Sequence, residues 1–402
     1  MPAPIEEGSK IPGHHSPGDH VELVDDHPSP RHEGEAGSPA LRDSKGWDGK
    51  LRVPKSAVLA NPEALSDPEY SDDDNVVPGE EVAADEGKQS ESAQRQTLAF
   101  LHVYLLDNEP LDTDEIICTH SRIQSISALR LERFKQVARI CLRQNLIQDI
   151  EGLTGVAETL QDLDLYDNLI SHIGRGLTDL TNLTSLDLSF NKIKHIKHIN
   201  HLTNLTDLFF VSNKISRIEG LEGLDKLRNL ELGSNRIREL QNLDSLKNLE
   251  ELWVAKNKIT ELTGLGGLPK LRLLSIQSNR IRDLSPLREV PQLEELYITH
   301  NALESLEGLE HNTKLRVLDI SNNKIASLKG IGPLAELEEL WASYNMVGDF
   351  AEVERELKEK KNLTTVYFEG NPLQLRAPAL YRNKVRLALP QVQQIDATFV
   401  RV

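Results

Sequence analysis

Residues 205–218 read LTDLFFVSNKISRI, and the same frame returns down most of the chain. Aligning the Asn of each copy gives Asn145, Asn168, Asn191, Asn213, Asn235, Asn257, Asn279, Asn301, Asn323, Asn345 and Asn371. The spacings are two of 23 residues, seven of 22 and one of 26. Such regularity marks one structural unit stacked on copies of itself.

The frame, L-x-x-L-x-L-x-x-N-x-I, is that of a leucine-rich repeat. In Leu230-Glu231-Leu232-Gly233-Ser234-Asn235 the two Leu point inward from a short strand, as a two-residue period requires. After the Asn the chain must turn. An Asn amide both donates and accepts, so stacked Asn residues can pair turn groups that would otherwise be buried unsatisfied. Ile237, Leu240, Leu243 and Leu246 then fill the space behind the strand. A 22-residue unit leaves room only for short 3₁₀ or helical pieces on the return. The expected fold is an α/β leucine-rich-repeat solenoid. It has a curved parallel sheet on its concave face, short 3₁₀, helical or irregular segments on its convex face, and a C-terminal helical cap.

Composition agrees with such a fold. Aromatics are only 4% of 402 residues, as layers of similar aliphatic side chains require. A net charge of −17 argues against nucleic acid or an anionic membrane as the main partner. No apolar run approaches the roughly 20 residues that span a bilayer, and residues 1–10 lack a secretory apolar core. Two cysteines, Cys118 and Cys141, make no disulfide framework, which predicts an intracellular chain.

The chain divides into four parts. Residues 1–95 hold 21 acidic and 9 basic residues without apolar periodicity, and are expected to be a disordered acidic tail. Ser16, Ser29 and Ser38 precede Pro, and Ser71 precedes three Asp. These are candidate phosphorylation sites for proline- and acid-directed kinases, or chance pairs in a solvated tail. His14, His15 and His20 lack a fold to hold them as metal ligands. Residues 96–115 include the apolar run TLAFLHVYLL (97–106), outside the repeat frame and suited to capping the first repeat. About twelve repeats follow over 116–371, the first degenerate with Ser121 at the Asn position. Residues 349–361 read as a charged amphipathic helix, and 372–402 as a helix and final turn that cap the solenoid.

The residue between the two inward Leu of each strand points onto the open concave face. From the third strand these are Asp164, Asp187, Phe209, Glu231, Trp253, Ser275, Tyr297, Asp319, Trp341 and Tyr367. Five are aromatic, against an abundance that would place fewer than one there by chance. Acids and aromatics nearly alternate. Asp162, Asp207, Glu251, Glu295 and Glu339, two residues earlier, add charge beside them. Strand preference explains aromatics and solvent explains carboxylates, but neither explains their ordered concentration on one face. Together they form a protein-binding surface for a basic, convex partner. Phosphate-cradling loops, His-Glu-x-x-His, Cys-x-x-Cys and a Ser with a His base are all missing, so an enzyme is not expected and no cofactor is implied. Cys141, on the second strand, lacks a His or cationic neighbour in the frame to activate it.

The turns ICLRQN (140–145), LDLYDN (163–168), LDLSFN (186–191), LELGSN (230–235) and LSIQSN (274–279) resemble those of one family. So do GNPLQ (370–374) and the terminus LALPQVQQIDATFV (387–400). The family is regulatory subunit 7 of protein phosphatase 1, or sds-twenty-two, and the resemblance covers about residues 112–402. It implies a non-catalytic, monomeric subunit of nucleus and cytoplasm that binds the phosphatase catalytic subunit. Its role would be in maturation, targeting or restraint during cell-cycle progression. By frame it places the phosphatase contacts on Asp187, Phe209, Glu231, Trp253, Asp319, Glu339, Trp341 and Tyr367. Trp253 stands where the family usually has Phe. The acidic tail and residues 97–106 fall outside the family pattern, and no Lys/Arg–Val/Ile–x–Phe/Trp docking motif occurs. The alternative is an adaptor for another basic protein, such as a splicing or cytoskeletal factor.

Overall fold

Each repeat contributes one three-residue strand, and the strands pair in chain order. They are β1 (Glu115–Ile117), β2 (Arg139–Cys141), β3 (Asp162–Asp164), β4 (Ser185–Asp187), β5 (Asp207–Phe209) and β6 (Asn229–Glu231). There follow β7 (Glu251–Trp253), β8 (Leu273–Ser275), β9 (Glu295–Tyr297), β10 (Val317–Asp319), β11 (Glu339–Trp341) and β12 (Thr365–Tyr367). Two shorter strands, β13 (Gln394–Ile395) and β14 (Thr398–Phe399), complete a single 14-stranded sheet. All neighbours are parallel except β13 and β14, which close the edge as an antiparallel pair.

The computed structural model describes residues 104–400, which lie in one compact unit. Residues 1–95 with Ser16, Ser29, Ser38 and Ser71, and residues 97–103 of the apolar run, lie outside the described residues. Of that run, Leu106 joins the hydrophobic core. Beside it, Asp107 accepts a 2.8 Å charged hydrogen bond from Arg133.

The core is a stack of aliphatic layers. In one turn Leu230, Leu232, Ile237, Leu243 and Leu246 are all fully buried. The largest side chains, Phe134, Phe210 and Phe368, fill wider gaps in the stack. Short 3₁₀ turns such as Thr154–Val156 and Ser285–Glu289 occupy the return segments, as the repeat length demands.

The Asn ladder runs from Asn145 to Asn371. Asn257 Nδ2 donates to Leu232 O of the preceding turn (2.9 Å) and to Val254 O of its own (3.0 Å). Its Oδ1 accepts from Ile237 N–H at 2.9 Å. Asn145 treats the degenerate first turn alike, its Oδ1 accepting from Ser121 and Ile123 N–H. The residue before each Asn takes a positive φ, as at Ser234 (55°) and Lys256 (54°), which bends the backbone sharply enough to aim the amide inward. Asn257→Ala should cost about 1–3 kcal/mol by stranding buried backbone groups. A denaturant midpoint equal to that of the unmodified chain would refute this role.

The C-terminal end differs in detail from expectation. The helix predicted over 349–361 is shorter: α1 spans Phe350–Leu357, opened by Asp349 Oδ1 accepting from Ala351 N–H. Beyond its end Lys360 turns inward to donate to Gly332 O and Leu334 O. After Asn371, α2 (Pro372–Leu375) and α3 (Pro378–Ala388) lay Leu373, Tyr381 and Val385 over the last core layer.

Candidate functional site

Register brings the predicted residues into one row. Cα pairing runs Asp187–Phe209–Glu231–Trp253–Ser275–Tyr297–Asp319–Trp341–Tyr367 without a break. Glu339 lies two residues before Trp341 on β11, in the neighbouring row with Asp207, Glu251 and Glu295. Seven of the eight candidate contact residues therefore share one row and the eighth borders it.

The aromatic rings are more enclosed than open strands suggested. Trp253 is 6% exposed and Tyr297 8%; only Trp341 and Tyr367 remain half-buried. Strands about 4.8 Å apart leave a large ring no choice but to lie over its neighbours. Trp253 and Tyr297 stack with centroids 6.5 Å apart across the small Ser275, which is fully covered. Trp341 and Tyr367 meet at 5.3 Å. Three of the rings are tied to the acid two residues before them. Trp253 Nε1 donates to Glu251 (3.3 Å), Tyr297 Oη to Glu295 (2.6 Å) and Trp341 Nε1 to Glu339 (3.1 Å). Removing Trp253 therefore opens a void in this layer. Trp253→Ala should cost about 2–4 kcal/mol of stability and Trp341→Ala clearly less. Equal unfolding midpoints for the two variants would contradict this packing.

The acids in the row differ in character. Asp187 and Asp319 accept from the N–H groups of Ser189 (2.8 Å) and Ser321 (3.1 Å), a short turn that fixes each carboxylate. Burial pushes both up to about 6, with Asp164 adding to the effect on Asp187. Glu231, 5% exposed between Phe209 and Trp253, is pushed up to about 8. Burial is the main cause, Asp187, Glu251 and Asp207 reinforce it, and only Asn229 opposes it. Glu231 is thus mostly protonated at neutral pH, a correction to its reading as a standing negative charge. Beside it, the buried Asn229 Oδ1 has no donor.

Sequence reasoning missed two features here. Arg143 forms an ion pair with Asp164, reaches Asp187 at 3.6 Å and lies over the Tyr166 ring. This ends the acidic row with an internal cation. Second, the alternation of acids and rings carries a longer motif and an Arg clamp. Glu-Glu-Leu-aromatic recurs at 250–253, 294–297 and 338–341. Arg228, Arg272 and Arg316 in the intervening repeats each grip the first Glu of the next through two hydrogen bonds of 2.8–3.0 Å. The 44-residue spacing was the available signal. Away from the row, burial raises the Cys118 thiol to about 11, and burial also raises Cys141, which donates weakly to Asp164. Among the described residues no group of three or more His, Cys, Asp or Glu is placed to hold a metal, and no helix is long and apolar enough to cross a membrane.

Known proteins carry the same repeats. The model of paired leucine-rich repeats matches residues 203–245, 247–289 and 291–335, and single-family repeat models match 135–193 and 182–205. The chain is 63% identical over 54 residues to the protein phosphatase 1 regulatory subunit SDS22 of Schizosaccharomyces pombe, which is 13% of this chain and 16% of that protein. It is 45% identical over 77 residues to SDS22 of Saccharomyces cerevisiae (19% and 23% of the two chains). It is 65% identical over 46 residues to protein phosphatase 1 regulatory subunit 7 of Homo sapiens (11% and 12%). The matched stretches thus span less than a quarter of these relatives. Among solved structures, an internalin (inlF) of Listeria monocytogenes aligns with a TM-score of 0.57 at 23% identity, covering 76% of this chain and 95% of its own. The leucine-rich-repeat protein LIC12759 of Leptospira interrogans aligns at 0.54 and 23%, covering 68% and 81%. These two likenesses establish the solenoid fold.

Proposed function

We propose, from the premise that this chain belongs to the leucine-rich-repeat family whose members include the phosphatase regulators SDS22 and regulatory subunit 7, that it is a non-catalytic subunit of protein phosphatase 1. Its concave face would hold the catalytic subunit. The observation that carries this reading is the unbroken row from Asp187 to Tyr367, in which acids and rings alternate in register. Rings held in place by Glu251, Glu295 and Glu339 are rigid, so little entropy is lost when a partner covers them. Asp187, Asp319 and the bordering acids attract a basic surface and fix its register. The donor-free Asn229 Oδ1, beside a Glu231 carboxyl that can release its proton, suits a partner that brings an N–H cation.

Titration of the folded chain against the phosphatase-1 catalytic subunit tests this. Trp341→Ala, whose ring is only half-buried, should weaken binding about thirtyfold with the fold intact. Glu231→Lys should weaken it further and flatten its salt dependence. Full affinity in both variants would sink the concave-face reading. Absence of binding by the unmodified chain would overturn the phosphatase assignment itself.

A further inference from the structure

A second charged surface lies past the ladder, off the concave face. The residue following each ladder Asn donates its backbone N–H to the preceding turn: Lys214 to Ile193 O, Arg236 to Ile215 O, Lys258 to Ile237 O and Arg280 to Ile259 O, all at 2.8–2.9 Å. These bonds stack the side chains in a column, which begins at Lys192, bonded in the same way to Ile170 O. Five consecutive turns thus present Lys192, Lys214, Arg236, Lys258 and Arg280. Two residues further on, Lys194, Arg238 and Arg282 project beside them, with Ser216 and Thr260 in the turns between. Eight cations and no acid fill these two columns over the five turns. All but Lys258 are exposed. None makes a head-group hydrogen bond or ion pair among the described residues. Glu239, Glu261 and Asp283 border the strip one residue beyond, outside ion-pair distance. On the other flank of the sheet the contrast is plain, since Arg228, Arg272 and Arg316 are each neutralised by a Glu.

Eight like charges within about 20 Å, four strand spacings, repel one another and favour an anionic cover. The chain carries one of matching size. Residues 56–87 contain ten acidic residues and no basic one, including Asp72, Asp73 and Asp74 after Ser71. Seventeen peptide steps lead from position 87 to Tyr104, where the described structure begins. An unconstrained chain of that length would span about 20–25 Å on average. Lys192 lies three strand steps from β1, about 14 Å along the solenoid. The concave face is itself acidic and repels the same segment.

We propose that the acidic segment 56–87 docks in cis on the Lys192–Arg280 strip. The contact is electrostatic, draws on the high local concentration of a tethered segment, and leaves the concave row free. A phosphate on Ser71 would strengthen it by adding nearly two charges within the acidic run. This inference is independent of which protein occupies the concave face.

The test is zero-length carbodiimide cross-linking of the full-length chain with peptide mapping, joined to lysine acylation rates. At low salt, carboxylates of 56–87 should join Lys192, Lys214 or Lys258, and those lysines should acylate several-fold more slowly than Lys324, one turn beyond the gap at Ala302. Both effects should vanish at about 0.5 M salt, where screening acts within about 5 Å. They should also vanish in a full-length variant with the ten acids changed to Asn or Gln. Cross-links that skip the strip, or acylation rates unchanged by that variant, would overturn the proposal. So would protection restored only by an added polyanion such as heparin or RNA, which would make the strip a site for a partner in trans.

Discussion

Between pH 6 and 8 the affinity of this chain for the phosphatase subunit proposed as its partner should rise about fiftyfold, and Glu231→Gln should remove most of that rise. The reasoning starts from Glu231 in the free chain, where burial and the facing carboxylates of Asp187, Asp207 and Glu251 lift it to about 8. Its folded value exceeds its unfolded one. Its contribution to stability is therefore complete below about 4.5 and is lost as pH climbs through 8. A partner cation seated beside it reverses this preference by favouring the carboxylate. Binding then expels a proton throughout that window, and affinity grows by up to tenfold per pH unit until the free carboxyl ionises by itself. Asp187 and Asp319, at about 6, add to the slope only near and below that value. Calorimetry in two buffers of different ionisation enthalpy counts the protons directly. An affinity that stays flat from pH 6 to 8, or an unchanged slope in Glu231→Gln, would show that no cation meets this residue.

The solenoid was legible because one backbone geometry repeats, and a single residue type, Asn, serves it in every complete turn. Asn is needed there since one amide must reach two carbonyls and one N–H at once, as Asn257 does. The concave row was legible for the same reason, since a period of two fixes which side chains leave the core. How deeply those side chains are buried was not. Trp253 is covered because Ser275 beside it is small enough for Tyr297 to close from two strands away. That depends on residues 44 positions apart, beyond the reach of a single repeat. Ionisation was hidden likewise, because Glu231 is raised first by burial and then by the carboxylates of Asp187, Asp207 and Glu251 on other strands, none of which its own segment reveals. The left-handed residue before each Asn leaves no trace in residue type, being Gln144, Phe190, Ser234 and Lys256 in different turns. The basic strip was written plainly as Asn-Lys-Ile and Asn-Arg-Ile, but it is diluted in a chain whose total charge is −17.

Asp396→Ala should destabilise the fold by about 3–5 kcal/mol, more than any single ladder Asn. The final turn has no Asn, and Asp396 takes over its work with a carboxylate. Its Oδ1 accepts from Phe368 N–H (2.9 Å) and Glu369 N–H (3.1 Å), and its Oδ2 from the buried Tyr381 hydroxyl (2.9 Å). Its own N–H continues the sheet to Val366 O at 2.8 Å. Arg382, next to Tyr381 on α3, donates to Ile395 O, Thr398 O and Phe399 O, clasping the β13–β14 hairpin from outside. Alanine at 396 strands two backbone donors and a phenol together, so the losses fall on one point of a structure held only by nearest-neighbour contacts. Tyr381→Phe should cost only about 1 kcal/mol, since it removes one hydrogen bond and keeps the ring over the core. Hydrogen exchange should then show the amides of β12 and β11 opening first, with the centre of the solenoid still protected. An Asp396→Ala chain that unfolds at the midpoint of the unmodified protein, or that loses protection evenly along all strands, would show that the solenoid does not depend on this residue for its end.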